Sequence, residues 1–156
     1  MSETPADNPG VIAPPPILFA ACILAGVLID LAWPMALLAD DWQYWIGGIL
    51  MAAGLALAVT CIAMFGRAGT NVPTYRPTTA LVIDGPYRWS RNPIYIALFL
   101  AYAGIGAVAD NGWMLALALP LFVVMNIGVI AREERYLERK FGSAYLAYKS
   151  RARRWL

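Results

Sequence analysis

Histidine is absent from all 156 residues, and cysteine occurs only as Cys22 and Cys61. Without an imidazole there is no His general base and no His-based metal site, and two distant cysteines cannot form a zinc site by themselves. Both cysteines lie inside apolar stretches, where they read as small packing residues rather than a disulfide or a nucleophile. Charge is also scarce, at 14% of residues, and no lysine or arginine precedes Arg67. The first ten residues carry Glu3 and Asp7 and no base, so they do not resemble the basic start of a secretory signal. A G-x-G-x-x-G turn, the mark of a dinucleotide-binding sheet, is missing as well.

What remains is apolar. The chain is 60% hydrophobic with a mean hydropathy of +0.58, well above the roughly 45–50% of an average soluble domain. Apolar segments run over residues 17–38, 42–65, 93–109 and 112–131. Since a hydrocarbon layer of about 30 Å takes about 20 helical residues, the second and fourth are long enough and the third leans on its flanks. The expectation is an all-α polytopic membrane bundle with one domain over residues 14–156, preceded by a short disordered tail over 1–13.

All 12 lysines and arginines fall in two blocks, Arg67 to Arg91 and Arg132 to Arg154, separated by a run whose only charge is Asp110. In a bundle with these spans both blocks share one side, which the positive-inside bias makes the cytoplasm, with both termini there too. The opposite connections carry only Asp40, Asp41 and Asp110. Basic residues so close to spans suit anionic headgroups rather than nucleic acid. Asp30, about 20 Å along the first span from Ile17, is either an intramembrane functional carboxylate or an interfacial, helix-paired one.

Pro14-Pro15-Pro16 leads into the first helix, and small residues such as Gly47, Gly48 and Gly54 in the second allow close helix contact. From Gly66 onward Gly, Pro, Thr and Asn build a loop of nearly thirty residues, too long for a mere connector. Asp84-Gly85-Pro86 is a turn signal, and Asn92-Pro93 reads as the cap and first residue of the third helix. Asp110-Asn111-Gly112 makes a tight hairpin of the last two spans. The fourth continues outward as the charged stretch Arg132 to Lys140, Gly142-Ser143 suits a stop and a new cap, and Tyr145 and Tyr148 lie among bases on an interfacial amphipathic helix.

Leu81-Val82-Ile83-Asp84-Gly85-Pro86-Tyr87-Arg88, Arg91-Asn92-Pro93-Ile94-Tyr95, Glu133-Glu134, Phe141-Gly142, Tyr145, Tyr148 and Arg151 together resemble the isoprenylcysteine carboxyl methyltransferase and phospholipid methyltransferase family of integral membrane enzymes. The resemblance covers about the last ninety residues, in the family's order and spacing. It implies an S-adenosylmethionine pocket made from cytoplasmic loops and C-terminal helices. Carried over by residue, Val82, Gly85, Tyr87, Arg91, Asn92, Pro93, Tyr95, Glu133 and Glu134 would hold the cofactor, with Arg91 on its carboxylate. Glu134 would also take part in catalysis, and Arg151 would orient the acceptor; headgroup binding beside Arg153 and Arg154 is its alternative. Tyr75 stands where many bacterial relatives have His, and could stack on or hydrogen-bond a ligand.

The implied activity is methyl transfer, in the bacterial inner membrane, to a lipophilic acceptor: an isoprenylcysteine-like carboxylate, a phospholipid amine or a small thiol. Two other readings stay open. Membrane sterol reductases that use NADPH resemble the family in their C-terminal region, and a non-catalytic lipid-binding module would also need a basic rim.

Overall fold

A computed structural model describes residues 7–38, 41–72 and 77–156. Residues 1–6, Asp40 and the segment holding Tyr75 lie outside the described residues, so the expectation for Tyr75 has no structural counterpart. Among the described residues the protein is helical and has no strand. The elements are α1 (Pro15–Ala32), α2 (Trp42–Arg67), a 3-10 turn (Gly85–Arg88), α3 (Pro93–Val108), α4 (Gly112–Val124), a π-helical segment (Met125–Ile130), α5 (Ala131–Phe141) and α6 (Ser143–Lys149).

α1, α2 and the continuous helix Gly112–Phe141 are long and apolar enough to cross a membrane, while α3 is shorter. The apolar part of the long helix ends at Ala131, and α5 carries the charged residues beyond it. Leu24, Leu28, Leu31, Trp45, Ile49, Leu55, Val59, Leu119, Val123 and Ile127 are all exposed. So broad an apolar surface is incompatible with water and fits lipid contact along the spans. The protein is an integral membrane helical bundle.

The first apolar segment runs on to Leu38, but Trp33-Pro34 marks the end of its helix, and α1 stops at Ala32. Pro34 disfavours helical geometry at the preceding residue, and the Asp30 carboxylate accepts the Met35 amide at 2.9 Å, closing the turn. Residues 33–38 then fold back over the α3–α4 hairpin. There the Asp110 carboxylate accepts the amides of Leu37 at 2.8 Å and Leu38 at 2.9 Å, and Gly112 N donates to Met35 O at 2.7 Å. Two of the acids at this end therefore satisfy main-chain amides that have no helix to bond to. Asn111 caps α4, its side chain accepting from Met114 N at 2.9 Å.

α2 and α3 lie close because small residues face each other. A methyl group added to Gly54 would come within 2.8 Å of Ala97 O, and one on Gly47 within 2.7 Å of Gly104 O. This is the small-residue packing the sequence suggests; Gly48, by contrast, faces open space. α1 packs on α4, and Phe19, Tyr102, Met114, Leu121 and Met125 form the buried centre between α1, α3 and α4.

Residues 7–14 make specific contacts where the sequence reads as a loose tail. Ile12 N donates to Gly128 O at 3.2 Å, Arg132 Nη1 donates to Gly10 O at 2.8 Å, and Asp7 accepts from Lys140 Nζ at 2.7 Å and from the Tyr136 hydroxyl at 2.8 Å. The start of α1, the end of α2, the start of α3 and α5 thus gather at one end of the bundle, with the described basic residues.

Candidate functional site

At that end a pocket opens between the loop after α2, the start of α3, and α5–α6. Its cavity volume is about 70 Å³, and its walls include Pro9, Phe65, Thr78, Leu81, Val82, Tyr87, Arg91, Asn92, Tyr95, Glu133, Glu134, Tyr136, Tyr145 and Tyr148. Its lining is mostly apolar and partly aromatic with a few convergent polar groups, the composition usual for small-molecule sites.

The loop is tied to itself before it reaches the pocket. The Thr70 hydroxyl accepts the amides of Thr79 at 2.9 Å and Ala80 at 3.3 Å, and Asn71 Nδ2 donates to Pro77 O at 3.2 Å. Gly85 then takes φ of +56°, a left-handed conformation that favours glycine, and lies against Met64 of α2. Gly85 shapes the turn but does not line the pocket. Tyr87, two residues on, does; its ring meets Phe65 edge-on at 5.6 Å.

The next segment is clasped by the C-terminal residues. Arg91 N donates to Arg153 O at 2.7 Å and Arg153 N to Trp89 O at 3.2 Å, a parallel bridge. Asn92 starts α3 as expected, yet its side chain makes no capping bond; Nδ2 donates to Arg154 O at 2.8 Å instead. Pro93 is the buried first residue of α3, outside the pocket wall.

Arg91 was expected to meet a cofactor carboxylate, but the protein itself engages its guanidinium. Nη2 and Nε donate to Glu134 Oε1 at 2.9 and 3.2 Å, and Nη1 donates to Lys149 O at 3.1 Å and Ala152 O at 2.6 Å. Glu134 is also held by Arg154 Nη2 at 2.5 Å. Burial alone would raise the Glu134 pKa, but hydrogen bonds from Arg154 and Arg91 outweigh it and hold the carboxyl below its ordinary value. Arg154, in turn, is raised by Glu134.

Glu133 has the opposite environment. Its Oε1 accepts from the Tyr95 hydroxyl at 2.6 Å and it makes no ion pair among the described residues. Burial pushes its pKa up to about 8, Tyr95 pulling against that and neighbouring Glu134 adding to it. Adjacent carboxyls on one helix therefore differ in charge near neutral pH. Glu134 turns inward to Arg91 and Arg154, while Glu138, one turn further along α5, pairs with Lys149.

Two pocket hydroxyls, Thr78 Oγ1 and the Tyr87 OH, are buried with no oxygen or nitrogen hydrogen-bond partner among the described residues; the Cys61 thiol beside Tyr87 is a weak partner. Burial raises the Tyr87 pKa and those of Tyr145 and Tyr148, so all three stay neutral donors. Such orphaned groups are unusual in a folded protein and call for a ligand or an ordered water.

Val82, Tyr87, Arg91, Asn92, Tyr95, Glu133 and Glu134 are thus brought together, as their motifs suggest. Arg151 is not: it is exposed and lines a separate groove with Asp84, Arg88 and Tyr148. Arg154, Tyr136, Thr78 and Pro9 belong to the site or its support without being singled out in the sequence. For Arg154 a signal existed, the alternation of an extended segment, which buries Ala152 and partly Arg154 while leaving Arg153 out. No group of three or more His, Cys, Asp or Glu able to hold a metal ion is present among the described residues.

Fold and site define a helical membrane protein with a partly polar-lined pocket at one membrane face. A profile of the phospholipid methyltransferase family matches residues 42–144, and the chain belongs to that family, which groups with the isoprenylcysteine methyltransferases. It is 34% identical over 98 residues to the nickel-cobalt-cadmium resistance protein NccN of Alcaligenes xylosoxydans xylosoxydans, covering 62% of this chain and 45% of that protein. It is 31% identical over 98 residues to the cobalt-zinc-cadmium resistance protein CzcN of Cupriavidus metallidurans, covering 62% and 44%. An uncharacterized protein of Haemophilus influenzae is 59% identical over 34 residues, 22% of this chain and 54% of its own. The chain spans less than half the length of the first two relatives. No solved structure matches it.

Proposed function

We propose that the protein is an S-adenosylmethionine-dependent methyltransferase of the bacterial inner membrane, acting at the cytoplasmic interface on a lipophilic acceptor. The observation that carries this is the pair of unpartnered buried hydroxyls, Thr78 Oγ1 and Tyr87 OH, in the pocket where the family's motifs converge. S-adenosylmethionine supplies an electrophilic methyl group when bound. The chain's residues fit it: Tyr87 and Thr78 offer hydroxyls to its polar groups, Phe65, Tyr136 and Tyr145 offer ring faces and edges, and Leu81 and Val82 exclude water.

Direct displacement needs alignment and dryness more than an acid–base relay. The C-terminal clasp serves both, since Arg154 and the carbonyls of Arg153 and Arg154 hold Ser90, Arg91, Asn92 and Glu134 in place. Arg91 acts in this reading as a positioning residue. In this reading Arg151, which lines a groove with Arg88 and Asp84, contacts an acceptor's polar head outside the pocket.

The test is equilibrium binding of S-adenosylmethionine and of NADPH to the detergent-purified protein, followed by transfer of labelled methyl into total membrane lipid and small thiols. Saturable S-adenosylmethionine binding with labelled product is expected. Preferential NADPH binding would point to a reductase, and binding of neither to a lipid-binding module.

A further inference from the structure

We infer that residues Asp7 to Gly10 form a strap that holds the pocket shut, latched by Asp7 on Lys140 and Tyr136 of α5, and that the pocket's ligand is admitted when this latch releases. The inference deepens the methyltransferase reading and rests on it for the identity of the ligand. Its ground is the size of the cavity. About 70 Å³ holds a few water molecules, whereas a ligand of nucleoside size takes about 300 Å³ or more, so one wall has to move. The helical walls are held: Arg91 and Glu134 are buried against each other, and the C-terminal clasp ties the start of α3 to Arg153 and Arg154. The loop wall is held too, by the Thr70 hydroxyl under Thr79 and Ala80 and by Leu81 and Val82, which pack against buried clusters.

The strap is the exception. Pro9 is a buried part of the pocket wall, yet it belongs to no helix, and Asp7 and Gly10 on either side of it are exposed. Beyond Gly10 the chain is fixed. Val11 packs against the central core, Ile12 N donates to Gly128 O at 3.2 Å, and Arg132 Nη1 donates to Gly10 O at 2.8 Å. Gly10 has φ of +61° with open space where a side chain would stand, which suits a hinge. Before Gly10 the hold on the rest of the protein is Asp7, among the described residues: its carboxylate accepts from Lys140 Nζ at 2.7 Å and from the Tyr136 hydroxyl at 2.8 Å. The Lys140 side chain is 26% exposed and that of Asp7 57%, and an ion pair so open to water is weak. The strap is therefore the wall that opens most readily. Its latch also touches the ligand's side of the wall, because the same Tyr136 hydroxyl accepts the amide of Thr78 at 3.2 Å, the residue whose own hydroxyl is unpartnered. Residues 7–14 lie outside the stretch that matches the family profile.

The test is made on the detergent-purified full chain, with calorimetric affinity for S-adenosylmethionine, its dissociation rate from a chase of labelled ligand, and hydrogen–deuterium exchange of residues 7–13. Asp7→Ala and Lys140→Met each remove the latch without altering a residue of the pocket wall. Both should tighten the affinity about threefold to tenfold, the gain expected when an exposed ion pair and one hydrogen bond no longer favour the closed state. The gain should come from faster association, with dissociation unchanged, and residues 7–13 should exchange faster in both variants. The charge-swapped pair Asp7→Lys with Lys140→Asp should bring both readings back towards those of the unaltered protein. S-adenosylmethionine carries a net positive charge, so a field effect without a latch would move the two single variants in opposite directions, and that result would overturn the inference. Weaker binding in both would overturn it as well, since the strap would then help to grip the ligand rather than exclude it. Unchanged exchange at residues 7–13 in both variants would overturn the strap whatever the pocket binds. Failure of the unaltered protein to bind S-adenosylmethionine, with faster exchange in the two variants, would remove the methyltransferase reading and leave the strap in place.

Discussion

Replacing Glu134 by glutamine removes one negative charge from between two guanidiniums, and the two should not respond alike. The Arg91 side chain is 10% exposed and Arg154 41%. Without Glu134, Arg91 stays buried with only the carbonyls of Lys149 and Ala152, whereas Arg154 can turn to water. Removing one partner of a buried pair costs about 3–5 kcal/mol, and the two surviving carbonyl contacts set the expectation at the lower end, about 3 kcal/mol. Arg154→Ala removes a half-exposed partner and should cost about 0–1 kcal/mol. With about 2–4 °C per kcal/mol for a chain of this size, Glu134→Gln should lower the melting temperature by about 6–12 °C and Arg154→Ala by at most about 4 °C. The measurement is thermal unfolding in detergent, followed by tryptophan fluorescence. In the double variant Arg154→Ala should add almost nothing, since its partner is already gone. Equal shifts in the two single variants, or additive shifts in the double, would refute the view that Arg91 and Glu134 form the buried half of this cluster.

Glu133 predicts a pH dependence of opposite sense to that of an ordinary salt-bridged acid. Its folded pKa is raised from the model-compound 4.5 to about 8, so its contribution to stability is full below about pH 4.5 and is lost as pH rises through about 8; Glu133→Gln should flatten that decline in melting temperature. Gly54→Ala should destabilise the α2–α3 pair by about 1–3 kcal/mol, because the added methyl meets backbone, while Gly48→Ala, pointing into open space, should not; thermal unfolding of both checks it. Reporter fusions at Asp40 and at the C-terminus should give opposite sidedness, with the C-terminus cytoplasmic; a C-terminus outside would overturn the topology and, with it, access of a cytoplasmic cofactor.

Much of the architecture was legible because membrane spans, hairpins and helix starts are local signals. Hydropathy located the helices to within a few residues, Asp110-Asn111-Gly112 gave the hairpin, and Asn92-Pro93 gave the start of α3. Where the reading fell short, the cause was contact between residues far apart in sequence. Nothing local says that the Asn92 side chain serves Arg154 rather than its own helix, or that Asp7 reaches Lys140. Arg91 and Glu134 each stand out in the sequence, but 43 residues separate them, and a motif read one residue at a time assigns both to a ligand when they belong first to each other. Gly142 is a similar case in miniature: the stop was visible, yet Ser143 begins α6 as its first residue and Gly142, at φ of +51°, takes the cap position.

The π-helical segment Met125–Ile130 sets the rotational phase of everything after it. Such a segment accommodates about one residue more per turn than the α-helix around it, and each residue of an α-helix advances the face by about 100°. Deleting one residue between Val124 and Ala131 would let the helix run as plain α and turn α5 by about that angle, as a gear meshed one tooth out. Tyr95 and Arg91, fixed on α3 and its approach, would then face a different side of α5, and neither carboxyl would reach its partner. The irregular turn is the indexing mark that sets which two residues of a highly charged helix look into the protein, and the remaining charges are left outside by the same rotation.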